Sequence, residues 1–211
     1  MITCKEFPEK QFHSKDEMYK QLRENKKSLI TAKKMITKEC DAVYFVTGLM
    51  NQKGEAVKAD SINVSDISKL NVELVINTTK LLDSHSDVHS DGIWNKSVKE
   101  SKNLLLLQEH QMKFDKIISD DVAASVKVMS WKDLGAKFKG NTEALVFTSS
   151  IEKSRNEFMF NQYAKGYVKN HSVGMRYVKM DLAMNSDSKW DVEEKEVWDA
   201  NIDMVANKAD A

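Results

Sequence analysis

Proline is almost absent from this sequence, with Pro8 the single example in 211 residues, so loop boundaries are weakly marked. Cysteine is nearly as scarce. Cys4 and Cys40 are the only two, and their spacing makes neither a disulfide framework nor a metal-ligand set, as expected in a reduced, cytosolic environment. An excess of one charge is missing too: 32 lysines and arginines balance 32 aspartates and glutamates. Nucleic-acid binders draw much of their affinity from surplus positive charge that neutralises phosphates, so that class is set aside. Long hydrophobic runs are also lacking. The longest purely aliphatic stretch is Leu104–Leu107, far short of the roughly 20 residues that a membrane helix needs. The charged opening MITCKEFPEKQFHSKDE has no apolar region of the kind a secretory signal carries. Together these absences predict a soluble intracellular protein with neither membrane nor nucleic acid as partner.

What is present is enough to fold. Hydrophobic residues make up 41% of the chain, an ordinary supply for a core. Residues Ser14 to Lys38 are rich in good helix formers, with Ser14 placed to cap and Glu17 to complete a capping box. Met18, Leu22, Leu29 and Ile36 form a narrow apolar stripe on this helix, and Lys26, Lys27, Lys33 and Lys34 read as its solvated face. Beyond Ala42 the texture changes to β-branched and aromatic runs. Val43–Leu49, Val72–Thr78, Leu104–Leu107, Ala123–Met129, Ala144–Ile151 and Val173–Met180 are predicted strands. Ile93–Lys99, Arg155–Lys165 and Val192–Ala206 are predicted helices, with Gly166 at the C-cap of the second. Strands without regular helix alternation argue against a doubly wound parallel sheet. The expected class is α+β: a mixed or antiparallel, barrel-like β core in residues 41–211, with flanking helices and an N-terminal helical arm over residues 1–40.

Two constellations offer chemistry. In Leu81–Gly92, LLDSHSDVHSDG, an extended chain would set Asp83, His85, Asp87, His89 and Asp91 on one side. Those side chains suit a divalent transition metal, but neighbours on one face of a strand lie about 7 Å apart, too far for all five to share an ion. A polar loop whose Asp and Ser side chains make turns explains the same residues, and no metal or other cofactor is assigned. The second pattern is distributed. NLLLLQEH ends an apolar run in His110, and KNHSVGMRY sets Ser172 beside His171 and two residues before Gly174. A serine hydroxyl becomes a nucleophile when a base takes its proton, and imidazole titrates in the right range. If this segment is a strand, His171 points away from the face of Ser172, which favours a base from elsewhere, and His110 is the best placed. Gly174 would let backbone amides approach a developing oxyanion.

At these residues the sequence resembles the prohead (capsid maturation) proteases of tailed phages, which are distantly related to the herpesvirus assemblins. The resemblance runs from about Leu81 to the C-terminus, with a weaker echo in the N-terminal helix. Its elements stand in the family's order: Asp83, Asp87 and Gly92 followed by Ile93–Ser97, the apolar strand ending in His110, the strand and polar helix of Ala144–Lys165, then Gly166 and the motif Ser172–Arg176.

The resemblance implies an assemblin-like fold, with Ser172 as nucleophile and His110 as general base in peptide hydrolysis through an acyl-enzyme. It further implies action inside the procapsid in the host cytoplasm. The substrates would be the scaffold, the N-terminal delta segment of the major capsid protein, and the protease itself, through self-association. Relatives continue with an E-x-S-x-V-like strand where this sequence stops at Ala211, and if the third catalytic residue belongs to that strand it is not among these residues. Asp181, Glu193 and Glu196 are weaker alternatives. A non-catalytic capsid assembly or scaffold protein with a protease-like fold is the other expectation.

Overall fold

Apolar side chains at alternate positions of an extended chain share one face, and that face needs a cover. The computed structural model describes residues 1–35, 38–41, 47–50, 56–58, 67–169 and 171–211. In chain order its elements are β1 (Ile2–Cys4), β2 (Phe7–Phe12), α1 (Lys15–Met35), β3 (Lys38–Asp41), β4 (Thr47–Met50), β5 (Ala56–Val57) and β6 (Lys69–Thr78). There follow α2 (Asn95–Glu100), β7 (Leu106–Leu107), β8 (Ile117–Ser119), β9 (Val122–Ser130), β10 (Asn141–Glu152), α3 (Glu157–Ala164), β11 (Ser172–Met175) and α4 (Val192–Asn201). The order β5-β4-β6-β10-β9 makes a five-stranded sheet with antiparallel pairings. The class is therefore α+β. Among the described residues the sheet does not close on itself into a barrel. Of the predicted strand Val43–Leu49, residues 43–46 lie outside the described residues, as does Ile36 of the predicted helix stripe.

Two compact units divide the chain, and each draws on separated segments. One takes Met1–Glu39, Lys80–Val88 and Gly174–Ala211; the other takes Cys40–Thr79 and His89–Val173.

The second unit holds the apolar core. Leu70, Val72, Leu74 and Ile76 of β6 alternate onto it, each at most 3% exposed. β10 runs alongside, with Leu145 and Ile151 in the same cluster, and its register against β6 shifts between Leu145 and Val146. The helix α3 covers the cluster with Phe160, Tyr163 and Ala164, spaced three and four apart as one helical face requires. Asn156 caps α3 by accepting from the Met159 amide at 3.0 Å. At the other end Gly166 adopts φ +68°, a conformation open to glycine. Its amide donates to the Tyr163 carbonyl and that of Tyr167 to the Gln162 carbonyl, both at 2.9 Å, closing the helix by a full Schellman turn.

The first unit is organised by charge. α1 begins with the expected capping box: Ser14 Oγ accepts from the Glu17 amide at 3.1 Å, and Glu17 Oε2 accepts from the His13 amide at 2.8 Å. Of the apolar stripe on α1, Leu22 is buried and Met18 and Leu29 are half-buried. Arg23 donates to Asp191, which is 1% exposed and also accepts from Ser186 Oγ at 2.6 Å. Lys26 lies 2.5 Å from Glu194 and 3.2 Å from Glu193 on α4, and these bonds, led by that to Glu194, raise its pKa. Lys33 reaches Asp87 at 2.8 Å and Glu6 at 3.2 Å. Two lysines of the predicted solvated face thus meet acidic partners instead. The hairpin of β1 and β2, which the charged N-terminal sequence does not announce, pairs Ile2 with Phe12 and Cys4 with Phe7. Among the described residues, no helix is long and apolar enough to cross a membrane.

Candidate active site

His110 follows β7, which is only two residues long and pairs antiparallel with β8 through Leu106–Ser119 and Leu107–Ile117. The chain then leaves the sheet through a tight turn in which Glu109 and His110 both take φ +54°. Neither is glycine, and two successive left-handed residues cost on the order of 1 kcal/mol or more each. Such strain persists where the surrounding structure enforces it, and it gathers at functional sites. The turn is tied by the Gln111 amide on the Gln108 carbonyl at 3.1 Å. The His110 side chain is half-buried and makes no hydrogen bond or ion pair among the described residues.

Ser172 is the first residue of β11, which pairs with β3 as a two-stranded ladder. Its Oγ is buried and takes no hydrogen bond among the described residues. Leaving a buried hydroxyl unbonded costs about 1–3 kcal/mol, so such an atom calls for a reason. Ser172 and His110 belong to the same compact unit, but no hydrogen bond joins them. Gly174 is exposed within the strand and Arg176 exposed just after it.

His171 stands immediately before the first residue of β11. Its ring is 8% exposed, and Nε2 lies 3.3 Å from the hydroxyl of Tyr163. Burial lowers its pKa from 6.5 to about 4, so at neutral pH it is uncharged. Burial likewise pushes the Tyr163 hydroxyl well above its usual range. A proton acceptor of such low basicity suits a structural contact better than general-base work near neutrality. Tyr163 itself was not legible as a site residue. Its only signal is the apolar face it shares with Phe160 and Ala164.

The Asp/His segment is used structurally. Asp83 Oδ1 accepts from the amides of His85 at 2.7 Å and Asp87 at 2.9 Å, and the Asp83 amide donates to the Asp87 carbonyl at 2.9 Å. This makes the polar turn that Asp residues favour, with Ser86 at φ +59°. Asp87 accepts from Lys33 at 2.8 Å and from the Tyr177 hydroxyl at 3.1 Å. His89 is buried edge-on to Trp94, with ring centroids 6.0 Å apart. Asp91 accepts from Thr79 Oγ1 at 2.7 Å, and the Gly92 amide donates to Glu143 at 2.6 Å from a backbone at φ +80°. Among the described residues, no three His, Cys, Asp or Glu side chains are gathered to hold a metal ion.

The acidic alternatives for a third catalytic member are partly engaged: Asp181 lies 3.6 Å from Lys179, and Glu193 lies 3.2 Å from Lys26. Compared with known proteins, the chain matches no family model, no curated protein and no solved structure.

Proposed function

We propose that this chain is a serine endopeptidase of phage prohead maturation, with Ser172 as nucleophile and His110 as general base. The observation that carries the reading is the buried Ser172 hydroxyl, which makes no structural hydrogen bond among the described residues. It is supported by His110, held by a strained turn and likewise uncommitted among the described residues. The order of motifs along the sequence supplies the reaction class. On this reading Ser172 Oγ attacks the scissile carbonyl carbon while His110 takes its proton. Collapse of the tetrahedral intermediate breaks the C–N bond, and His110 passes the proton to the leaving amine. Water, deprotonated by the same imidazole, then hydrolyses the acyl-serine and frees the new carboxyl end. Amides near Val173 and Gly174 would stabilise the oxyanion.

The open antiparallel sheet would be the core of an assemblin-like barrel. The enzyme would work inside the procapsid, in the host cytoplasm, on scaffold, on the capsid protein's delta segment and on itself. Apo catalytic hydrogen bonds often form only with substrate, which reconciles the missing Ser172–His110 bond with this chemistry. That missing bond also favours a second reading, a non-catalytic capsid assembly protein with a protease-like fold. Cleavage of purified scaffold, and of the chain itself, separates the two. The protease reading expects Ser172→Ala and His110→Ala each to lower the rate by about a thousandfold or more. Wild-type protein that cleaves nothing but still joins scaffold into procapsids would establish the assembly reading.

A further inference from the structure

The Ser172 hydroxyl has no hydrogen bond of its own among the described residues, so its position is set by what anchors the backbone beside it. On one side β11 pairs with β3 in a ladder two strands wide among the described residues. Immediately before Ser172 stands His171, 3.3 Å from the hydroxyl of Tyr163, the two rings tilted by 37° with centroids 6.1 Å apart. Tyr163 is 2% exposed and lies in the last turn of α3, where its carbonyl accepts from Gly166 in the turn that ends the helix. A short chain of contacts therefore leads from the apolar core, through the closed end of α3, to the residue adjoining Ser172.

Two apolar side chains would fill this space without burying a hydroxyl and an imidazole, each of which costs about 1–3 kcal/mol when left unbonded. What an apolar contact lacks is direction. A hydrogen bond specifies one separation and one rotation, and a buried one is poorly replaced by solvent. We infer that Tyr163 and His171 are positioning residues for Ser172, their buried hydrogen bond fixing the point from which the strand presents its hydroxyl. This rests on the endopeptidase reading of Ser172. Neither side chain touches the reacting atoms; both act through the backbone.

The test uses the full chain and an alkyl fluorophosphonate, which phosphorylates an activated serine: an O–P bond forms, fluoride leaves, and the hydroxyl proton passes to the base. Labelling of Ser172 is followed by mass spectrometry, alongside the kcat and KM of scaffold cleavage and amide exchange across residues 157–175. Tyr163→Phe removes one oxygen and keeps the ring. It is expected to slow labelling and kcat by about 10- to 100-fold, with KM unchanged and exchange quickened in β11 but not in α3. His171→Gln, which retains a hydrogen-bonding side chain, should keep most of the rate that His171→Leu loses. Tyr163→Phe carries the test alone if His171→Leu does not fold. Labelling and β11 exchange at wild-type values in Tyr163→Phe would overturn the positioning role while leaving Ser172 as nucleophile. Wild-type protein that takes no label at Ser172 would overturn the endopeptidase reading, and the positioning role with it.

Discussion

In the unit built on the sheet, Val72, Leu74, Val146 and Phe160 are wholly buried, with Leu70, Ile76, Ile118 and Ile151 in the core beside them. In the unit containing α1 and α4, a 21-residue helix buries one leucine and is bound through Arg23, Lys26 and Lys33 to Asp191, Glu194, Asp87 and Glu6. The first arrangement draws on removal of apolar surface from water, which is non-directional and is not screened by ions. The second draws on paired charges, which contribute only when geometry is good and lose strength as ions screen them. One chain thus contains a region whose stability follows volume and a region whose stability follows charge.

The largest effect expected is in the apolar unit. Phe160→Ala deletes a wholly buried ring at the contact of α3 with the sheet, and should cost about 3–5 kcal/mol in denaturant unfolding. Its cost should be the same in 50 mM and 1 M salt. A strong salt dependence would break the comparison, because the core would then owe its stability to charge.

Asp191→Ala is the matching change in the charged unit. The carboxylate is 1% exposed, but Arg23 is 27% exposed and can turn to water. The loss should therefore be roughly 2 kcal/mol, below the range for pairs buried on both sides. Amide exchange should quicken in α1 and α4, and 1 M salt should narrow the gap between variant and wild type. Unaltered exchange in α1 would mean that Leu22 and its apolar neighbours hold the helix after all.

The apolar unit has one pH-dependent component. His171 has a folded pKa of about 4 against an ordinary 6.5. As pH falls from 6.5, the unfolded chain binds a proton that the buried ring refuses, so stability is lost down to about pH 4 and levels off below it. The full difference is worth roughly 3 kcal/mol at most, and part of it is spread over other groups titrating in that range. Chemical denaturation between pH 7 and 4 should therefore show a shallower acid slope for His171→Gln than for wild type. Equal slopes would mean that His171 is protonated in the folded protein near its ordinary pKa. In the charged unit Glu6 behaves with the opposite origin but the same sign. Burial acts to raise its pKa, and is outweighed by bonds from the Cys4 thiol, its own amide and Lys33, so the pKa ends below 4.5. That contribution is present above pH 4.5 and is lost as pH falls through the lowered value.

The same contrast explains what could be read in the residues beforehand. The β-branched and aromatic runs in Val72–Thr78, Ala123–Met129 and Ala144–Ile151 located three strands to within three residues, because such side chains fit a pleated, partly buried surface. The helix from Ser14 and the C-cap at Gly166 were legible because their hydrogen bonds are local in sequence. Ion pairs such as Arg23–Asp191 join residues 168 apart, and no periodicity reports them. The basic cluster consequently looked like a solvated face. At the candidate site, Ser172 and His110 stood out by residue type and by the motif around them. The Tyr163–His171 bond did not, since an eight-residue separation across a helix end has no repeating pattern. The strained turn at Glu109 and His110 was invisible too, for glutamate does not favour a positive φ and a lone histidine does not announce one.

The smallest effect bears on whether α1 is held by its own ends or by its distant partners. Ser14 accepts from the Glu17 amide and Glu17 returns to the His13 amide, so Ser14→Ala removes one half of a reciprocal cap and should cost about 1 kcal/mol. The loss should appear as faster exchange in the first turn, Lys15 to Met18, with the segment around Arg23 and Lys26 unaffected. If the first turn stays protected, pairing with Asp191 and Glu194 alone sustains the helix. If protection falls along its whole length, the local cap governs the formation of the ion pairs as well, since a frayed helix cannot present Arg23 and Lys26 at one fixed spacing.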